Sequence, residues 1–249
     1  FTWSLVYIMG NVKKRVLNRA YADFEKPAVI ICNHQGFLDI LCTVMLHPKV
    51  ILLTNKWVWN SPVFGAVVKM ADYFPVVDGM EDGIDHLRKI TEEGYSIVVF
   101  PEGTRSVDGK IARFHKGAFY LAEKLQLDLQ PVVLHGTGYA ITKGDFLLKD
   151  ATLTVKFLPR IRYDDQQYGV TYQERTKKLR QLFRAEYAEL VNETETASYH
   201  HERLMYQYIY KGPVLEWYTR IKLKLEQNYQ LFDALLPRDG AILDAGCGY

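Results

Sequence analysis

Short, uninterrupted apolar runs constrain the fold of this chain more than any other feature. The clearest runs cover residues 28–32, 50–54, 95–100 and 129–134, with weaker ones at 74–77 and 152–157. A strand that is buried on both faces has this continuous apolar character, whereas a strand with one solvated face alternates. The runs therefore predict a sheet that is covered on both sides, as parallel sheets are.

The stretches between the runs favour helices at residues 37–46, 64–71, 83–93, 117–124 and 172–193. Strands that alternate with helices predict an α/β fold with a mainly parallel central sheet flanked by helices. A polar stretch at residues 193–196 indicates a domain boundary. We therefore predict an α/β domain over residues 1–194 and a helical C-terminal extension over residues 195–249.

Residues 1–21 open apolar and become basic, and the apolar positions fit one helical stripe. We predict an amphipathic helix that packs on the α/β domain. A second interpretation stays open, in which this helix lies at a membrane surface with its cations toward anionic headgroups.

Composition and charge exclude several classes of protein. A chain of 249 residues that is 48% hydrophobic is globular, and a formal net charge of +2 gives no support for a nucleic-acid partner. No run approaches the ~18 apolar residues of a membrane-spanning helix. The three cysteines, Cys32, Cys42 and Cys247, lack CxxC spacing, so we expect neither a disulfide framework nor a metal site.

Polar clusters follow two of the predicted strands. His34 and Asp39 come after the first strand, and Glu102 and Arg105 come after the strand at 95–100. Because the carboxyl ends of parallel strands meet at one edge of a sheet, we expect the clusters to share a site. Histidine suits proton abstraction, a carboxylate can orient the ring, and arginine suits an anion.

The spacing of His34 and Asp39 restricts how they can meet. Five positions on a regular helix correspond to ~140° of rotation, which is poor for contact. The pair fits better with His34 in a loop, Asp39 in the first turn of a helix and Gly36 permitting the bend. Plainer interpretations stay open: Asp39 as an acid at a helix start, and Glu102 with Arg105 as a structural pair on an exposed turn.

Other catalytic arrangements lack their motifs. The chain has no G-x-S-x-G elbow and no P-loop. A dyad of Cys32 and His34 is conceivable, but a cysteine flanked by apolar residues in a strand is typical of a core. What remains is a base that activates a bound hydroxyl beside a pocket for an anion.

Residues 33–39, NHQGFLD, resemble the N-H-x-x-x-x-D block of the glycerolipid acyltransferases of the lysophosphatidic acid type. Residues 100–106, FPEGTRS, match the F-P-E-G-T-R-S block of that family. Lys56, Pro62 and Gly65 resemble the block between them, and residues 131–133 the last block. The resemblance implies transfer of a fatty acyl group from an acyl thioester, on coenzyme A or acyl carrier protein, to a hydroxyl of a lysophospholipid.

The resemblance also implies roles for single residues. His34 would be the general base and Asp39 its orienter, with direct attack and no acyl-enzyme. The acceptor pocket would be formed by Glu102, Gly103, Thr104, Arg105 and Lys56. Arg105 would hold the acceptor phosphate, and no cofactor is implied. The expected location is peripheral, on the cytoplasmic face of a bacterial inner membrane.

Two positions depart from the family pattern. Gly36 stands where members often carry serine, and we expect it to loosen the loop. Asp78 stands where an arginine usually helps to hold the acceptor phosphate. We therefore expect either an acceptor other than lysophosphatidic acid or a substitute cation at Lys56. Asp78 also keeps open a non-catalytic module that binds lipid or carrier protein, and a thioesterase that uses water is a further alternative.

Residues 242–249, ILDAGCGY, resemble the first motif of class I S-adenosylmethionine-dependent methyltransferases, a strand followed by D-x-G-x-G. The implied cofactor-binding residues are Asp244, Gly246 and Gly248. One strand cannot close a Rossmann domain, so we predict that only a larger fused polypeptide binds the cofactor. The alternative is that these residues form an ordinary strand and turn. The larger polypeptide could also be an integral membrane protein, an interpretation that stays open.

Overall fold

The computed structural model describes residues 10, 12–54, 74–75, 80–106, 108–142, 148–208, 211–237 and 242–243. The chain divides into two compact units, Phe1–Ala188 and Glu189–Tyr249. The boundary between the two units falls within the helix Tyr172–Thr194. Our assignment of domains to residues 1–194 and 195–249 stays a prediction.

The first unit is built around a seven-stranded sheet. Its strands are β1 Val12–Leu17, β2 Ala28–Cys32, β3 Val50–Thr54, β4 Phe74–Pro75, β5 Ser96–Val99, β6 Asp128–His135 and β7 Ala151–Phe157. Their order across the sheet is β1-β7-β6-β2-β5-β3-β4. Among the described strands, only β6 and β7 pair antiparallel. The predicted mainly parallel α/β fold is therefore confirmed.

The helices of the described ranges are α1 Leu38–Val44, α2 Met80–Glu92, α3 Gly117–Leu125, α4 Thr137–Ala140, α5 Tyr172–Thr194, α6 Ala197–Tyr208, α7 Pro213–Leu225 and α8 Tyr229–Leu235. The helices predicted at 37–46, 83–93, 117–124 and 172–193 are found with ends shifted by a few residues, and the predicted C-terminal extension is helical. The short helix α4 was not predicted. The helix predicted at 64–71 and the end of the strand predicted at 74–77 lie outside the described residues.

Apolar side chains cover both faces of the central strands. On one face Ile30, Val98 and Leu52 pack with Leu38 and other residues of α1. On the opposite face the core consists of Ile51, Ile97, Leu87, Leu121 and Leu125. This double burial is the physical reason for the continuous apolar runs, since successive side chains of a strand point to opposite faces.

The helix predicted over residues 1–21 is wrong for the part that is described. Val12–Leu17 is strand β1, which pairs in parallel with β7 from Val12 opposite Ala151 onward. Its cationic residues suit an edge strand, which is protected from pairing with other chains by charge. The backbone groups of this short basic segment are satisfied by a partner strand far away in sequence, which a helical stripe does not reveal. Residues 1–9 and 11 lie outside the described part.

The topology places three strand ends together. Strand β2 is the middle strand, and its two neighbours β5 and β6 both run parallel to it. The loops that follow these strands therefore leave from the same edge of the sheet. Within the described ranges, no helix combines the length and apolar character needed to cross a membrane.

Candidate functional site

The imidazole of His34 contacts the carboxylate of Asp39 at the end of β2. His34 lies in the loop before α1, and Asp39 is the second residue of that helix. The distance from His34 Nδ1 to Asp39 Oδ2 is 2.9 Å. The structure thus brings the two residues together in the loop-and-first-turn arrangement that their spacing requires.

The carboxylate of Asp39 accepts hydrogen bonds from the backbone as well as from the imidazole. Its Oδ2 also accepts hydrogen bonds from the backbone N–H groups of Gln35, at 2.6 Å, and Gly36, at 2.8 Å. The side chain of Asp39 is fully buried. With the carboxylate accepting from Nδ1, the lone pair of the neutral ring is on Nε2, the nitrogen that is free to take a proton. The local chain therefore holds both the position and the tautomer of His34.

The ring of His34 is further held by Phe100. The two rings stack with centroids 4.3 Å apart and planes 21° from parallel. The side chain of His34 keeps 14% of its surface exposed, so it is sheltered yet open to a ligand. Phe100 opens the FPEGTRS segment directly after β5, so this stacking brings the two sequence clusters together in space.

Glu102 joins the loops after β2 and β5 through the backbone. Its Oε1 accepts from His34 N at 2.8 Å, and its Oε2 accepts from Ala112 N at 2.8 Å. Burial raises the pKa of Glu102, and the two backbone hydrogen bonds partly oppose that rise. Both carboxylate oxygens therefore hold the loops, a role that we did not predict for this residue.

The residues that follow Glu102 in the second block are less buried than Glu102. Gly103 adopts φ +69° and is exposed, as Thr104 is, while Arg105 is half-buried. The next residue, Ser106, donates its backbone N–H to the carbonyl of His34 at 2.8 Å. This bond places the backbone of Arg105 next to the loop that carries the imidazole.

Gly36 makes a close approach that no larger residue permits. A Cβ atom at this position would lie 2.4 Å from the carbonyl oxygen of Thr137 in α4. The loop after β2 therefore packs directly on the backbone of α4. We expected Gly36 to loosen this loop, but the glycine allows a tight contact between two backbones instead.

Asn33 is a site residue to which we gave no role. Its side chain donates to the carbonyl of Leu134 at 2.8 Å and accepts from Leu134 N at 2.7 Å. This pair of bonds ties the start of the loop to the end of β6. The signal available in the sequence was an amide side chain directly after a buried strand, where an unpaired backbone needs a partner.

The two described cysteines lie in the core. Cys32 and Cys42 are buried, and burial raises the pKa of both thiols, that of Cys42 to about 12. A thiol that resists ionisation is a poor nucleophile, so the two cysteines act as core residues. Among the residues that the structure describes, no group of His, Cys, Asp and Glu could hold a metal ion.

Several residues that we singled out lie outside the described residues, so nothing is said of their structure. They are Lys56, Asp78, Asp244, Gly246 and Gly248.

Comparisons with known proteins agree on one family. The family model described as Acyltransferase matches residues 9–135. The 1-acyl-sn-glycerol-3-phosphate acyltransferase of Limnanthes alba is 33% identical over 150 residues, covering 57% of this chain and 52% of that protein. The enzyme of the same name from Cocos nucifera is 30% identical over 168 residues, covering 65% and 53%. This chain thus spans about half the length of these curated relatives.

A solved structure has the same fold. The 1-acyl-sn-glycerophosphate (LPA) acyltransferase PlsC of Thermotoga maritima aligns with a TM-score of 0.62 and 20% identity, covering 76% of this chain and 74% of that one. At this identity the likeness concerns the architecture of the sheet and its helices.

Proposed function

Because this chain belongs to the acyltransferase family, we propose that it transfers a fatty acyl group from an acyl thioester to a hydroxyl of a lysophospholipid-like acceptor. The thioester would be carried by coenzyme A or acyl carrier protein. The observation that carries the proposal is the 2.9 Å contact between His34 and Asp39, on a loop that is bonded to the Glu102–Ser106 segment. The reaction requires a base and a cation near one another, and His34 and Arg105 lie on two segments that are bonded to each other.

His34 supplies the base. Its Nε2 takes the proton from the acceptor hydroxyl while the hydroxyl oxygen attacks the thioester carbonyl. The tetrahedral intermediate then collapses, the carbon–sulfur bond breaks, and the imidazolium returns the proton to the departing thiolate. The products are the ester and the free thiol, with no acyl-enzyme. Asp39 orients the ring throughout and stabilises its positive charge.

The second block would receive the acceptor. In this proposal Arg105 binds the acceptor phosphate, since a guanidinium offers a planar, forked set of donors. Gly103 and Thr104 are exposed beside it and would line the pocket together with Glu102 and Lys56. Glu102 is committed to two backbone N–H groups, so its part would be to keep the pocket wall in place. Because Asp78 stands where an arginine usually helps to hold the phosphate, either the acceptor differs from lysophosphatidic acid or Lys56 supplies the second cation.

The proposal extends to the setting of the enzyme. No cofactor would take part in acyl transfer, and the enzyme would work peripherally at the cytoplasmic face of a bacterial inner membrane. Asp244, Gly246 and Gly248 would belong to a methyltransferase domain that only a larger fused polypeptide completes. Calorimetry should detect no binding of S-adenosylmethionine to this chain, and measurable binding would refute that last statement.

Acyl transfer from a labelled thioester to a panel of lysophospholipids tests the function. His34→Ala should lower kcat by roughly 10²–10⁴-fold, since a general base contributes that much. His200→Ala is the matched control because His200 is an exposed histidine of the second unit and should leave kcat unchanged. Full activity in His34→Ala would remove the base from the proposal.

Two other outcomes would contradict the proposed function itself rather than the assignment of His34 as the base. Release of free fatty acid in the absence of any acceptor would indicate a thioesterase. Binding of lipid or carrier protein without turnover on any acceptor would indicate a non-catalytic module.

A further inference from the structure

Helix α7 carries large apolar side chains that are exposed in the described part of the second unit. They are Val214, Trp217, Tyr218, Ile221 and Leu225, with Trp217 66% and Leu225 72% exposed. Large apolar side chains grouped on one surface of a folded unit indicate an interaction site. A shallow groove on the same surface is lined by Tyr218, Ile221, Lys222, Leu225 and Glu226.

These residues form one sector of the helix. At about 100° per residue, the five side chains fall within a sector about 100° wide. Thr219 and Leu223 lie on the opposite side and are buried. The carbonyl of Leu223 is 3.0 Å from His201 Nε2, which links this buried side to α6. Helix α7 therefore has one side that packs within its unit and one apolar side that faces outward.

Cations border the outward side at both margins. On the helical wheel, Lys222 lies just beyond one margin of the apolar sector and Lys224 just beyond the other. Both residues are exposed, and Arg220 follows further round, paired with Glu216. An apolar sector with an indole and a phenol, flanked by amines, is the pattern of a helix that lies in a lipid–water interface.

We propose that the face of α7 formed by Val214, Trp217, Tyr218, Ile221 and Leu225, the α7 face, docks the protein on an anionic phospholipid surface. The apolar side chains would enter the boundary between headgroups and acyl chains, and Lys222 and Lys224 would meet the lipid phosphates. Charge complementarity favours this occupant over a protein partner, because the two lysines stand where headgroups would lie. The proposed function in lipid chemistry is the reason why the protein would dock, and this proposal rests on it in that respect. Docking itself is measured without turnover.

Sedimentation with vesicles tests the α7 face. The full chain should bind vesicles of phosphatidylcholine with phosphatidylglycerol more strongly than vesicles of phosphatidylcholine alone. Ile221→Glu should weaken the first binding by roughly tenfold to a hundredfold, since a charge replaces an apolar side chain that would enter the lipid boundary. Lys222→Gln should weaken it about fivefold, and only on the anionic vesicles.

Matched controls separate docking from misfolding. Val170→Glu places the same charge at an exposed apolar position of the first unit and should leave vesicle binding unchanged. Trp217→Phe should keep most of the binding but lose the blue shift of tryptophan emission that vesicles cause. Equal vesicle binding by the wild type, Ile221→Glu and Leu225→Glu would overturn the proposal.

Two readouts distinguish this proposal from its alternatives. Self-association without lipid that disappears in Ile221→Glu, with no vesicle binding in the wild type, would assign the face to a second copy of the chain. With turnover established, Ile221→Glu should keep acyl transfer to an acceptor in detergent and lose it to an acceptor in vesicles. Vesicle binding by a wild type that transfers no acyl group would leave docking intact and overturn only the proposed function.

Discussion

The edge of the sheet and helix α7 depart from the usual distribution of polar and apolar groups in opposite ways. At the sheet edge, Asp39 and Glu102 are buried carboxyl groups, and each accepts hydrogen bonds from backbone N–H groups. On α7, Trp217 and Leu225 are apolar and exposed. Burying a carboxyl group costs free energy that hydrogen bonds must offset, and exposing a large apolar surface forgoes stabilisation.

The two departures differ in how much of the fold they involve. The carboxyl groups at the sheet edge join loops that follow different strands, so their contacts are part of the tertiary structure. The apolar side chains of the α7 face are at least half exposed, so their loss should barely affect folding. A site that orders reacting groups is therefore integrated in the fold, whereas a docking surface is left outside it.

The largest expected effect comes from Asp39→Asn. The amide would present a donor or a weaker acceptor where Oδ2 now accepts from His34 and two backbone N–H groups. We expect kcat to fall by roughly 10²–10⁴-fold, because the ring loses its orienting charge. Steady-state kinetics with a labelled thioester measures this loss. An unchanged kcat would mean that the buried carboxylate serves only the loop.

The second effect contrasts two neighbours on α7. Leu223→Ala should lower the free energy of unfolding of the second unit by about 2–5 kcal/mol, since Leu223 is 7% exposed and its removal leaves a cavity. Leu225→Ala should change it by less than about 0.5 kcal/mol. Denaturant titration followed by far-UV circular dichroism gives both values. Equal losses would show that the α7 face contributes to folding.

The third effect contrasts two glycines. Gly36→Ala should destabilise the first unit by about 1–3 kcal/mol, since its Cβ would meet the Thr137 carbonyl oxygen at 2.4 Å. Gly83→Ala is the control, because nothing lies within 4 Å of a Cβ at this helical position. It should stabilise by about 0.5–1 kcal/mol. Thermal unfolding monitors both, and a neutral Gly36→Ala would contradict the close packing of the loop on α4.

The smallest effect is a pH dependence from Glu102. Because burial raises the pKa of Glu102 above the ordinary value of 4.5, the folded state binds its proton more tightly than the unfolded chain does. The resulting stabilisation is fully present below pH 4.5 and is lost as pH rises through the folded-state pKa. Glu102→Gln should remove this part of the profile. Unfolding free energies of both proteins across this range measure it, and parallel profiles would contradict the shift.

Local patterns were enough to predict most of the sheet and the pair at its centre. Residues 28–32 and 50–54 formed strands with the predicted bounds because each is a buried run whose character does not depend on a distant partner. His34 and Asp39 meet because a loop followed by a helix brings them together within a few residues. The two polar clusters share one edge of the sheet because the carboxyl ends of parallel strands lie at the same edge.

Distant contacts decided what local patterns left open. Residues 12–17 became a strand because β7 offered backbone partners, and Asn33 gained its role from Leu134 at the end of another strand. The bonds from Glu102 to His34 N and Ala112 N required two loops to meet. A residue's own sequence neighbourhood does not show which backbone groups will need a partner from far along the chain.

Short-range order along the chain is enough to predict the parallel α/β architecture, the His34–Asp39 pair and the family. Three features required the folded chain: Gly36 packs on α4, Glu102 holds two loops together, and one side of α7 is exposed in the described part of its unit. The physical reason is that these features depend on which surfaces meet, and a run of residues carries its polarity without showing what will lie against it.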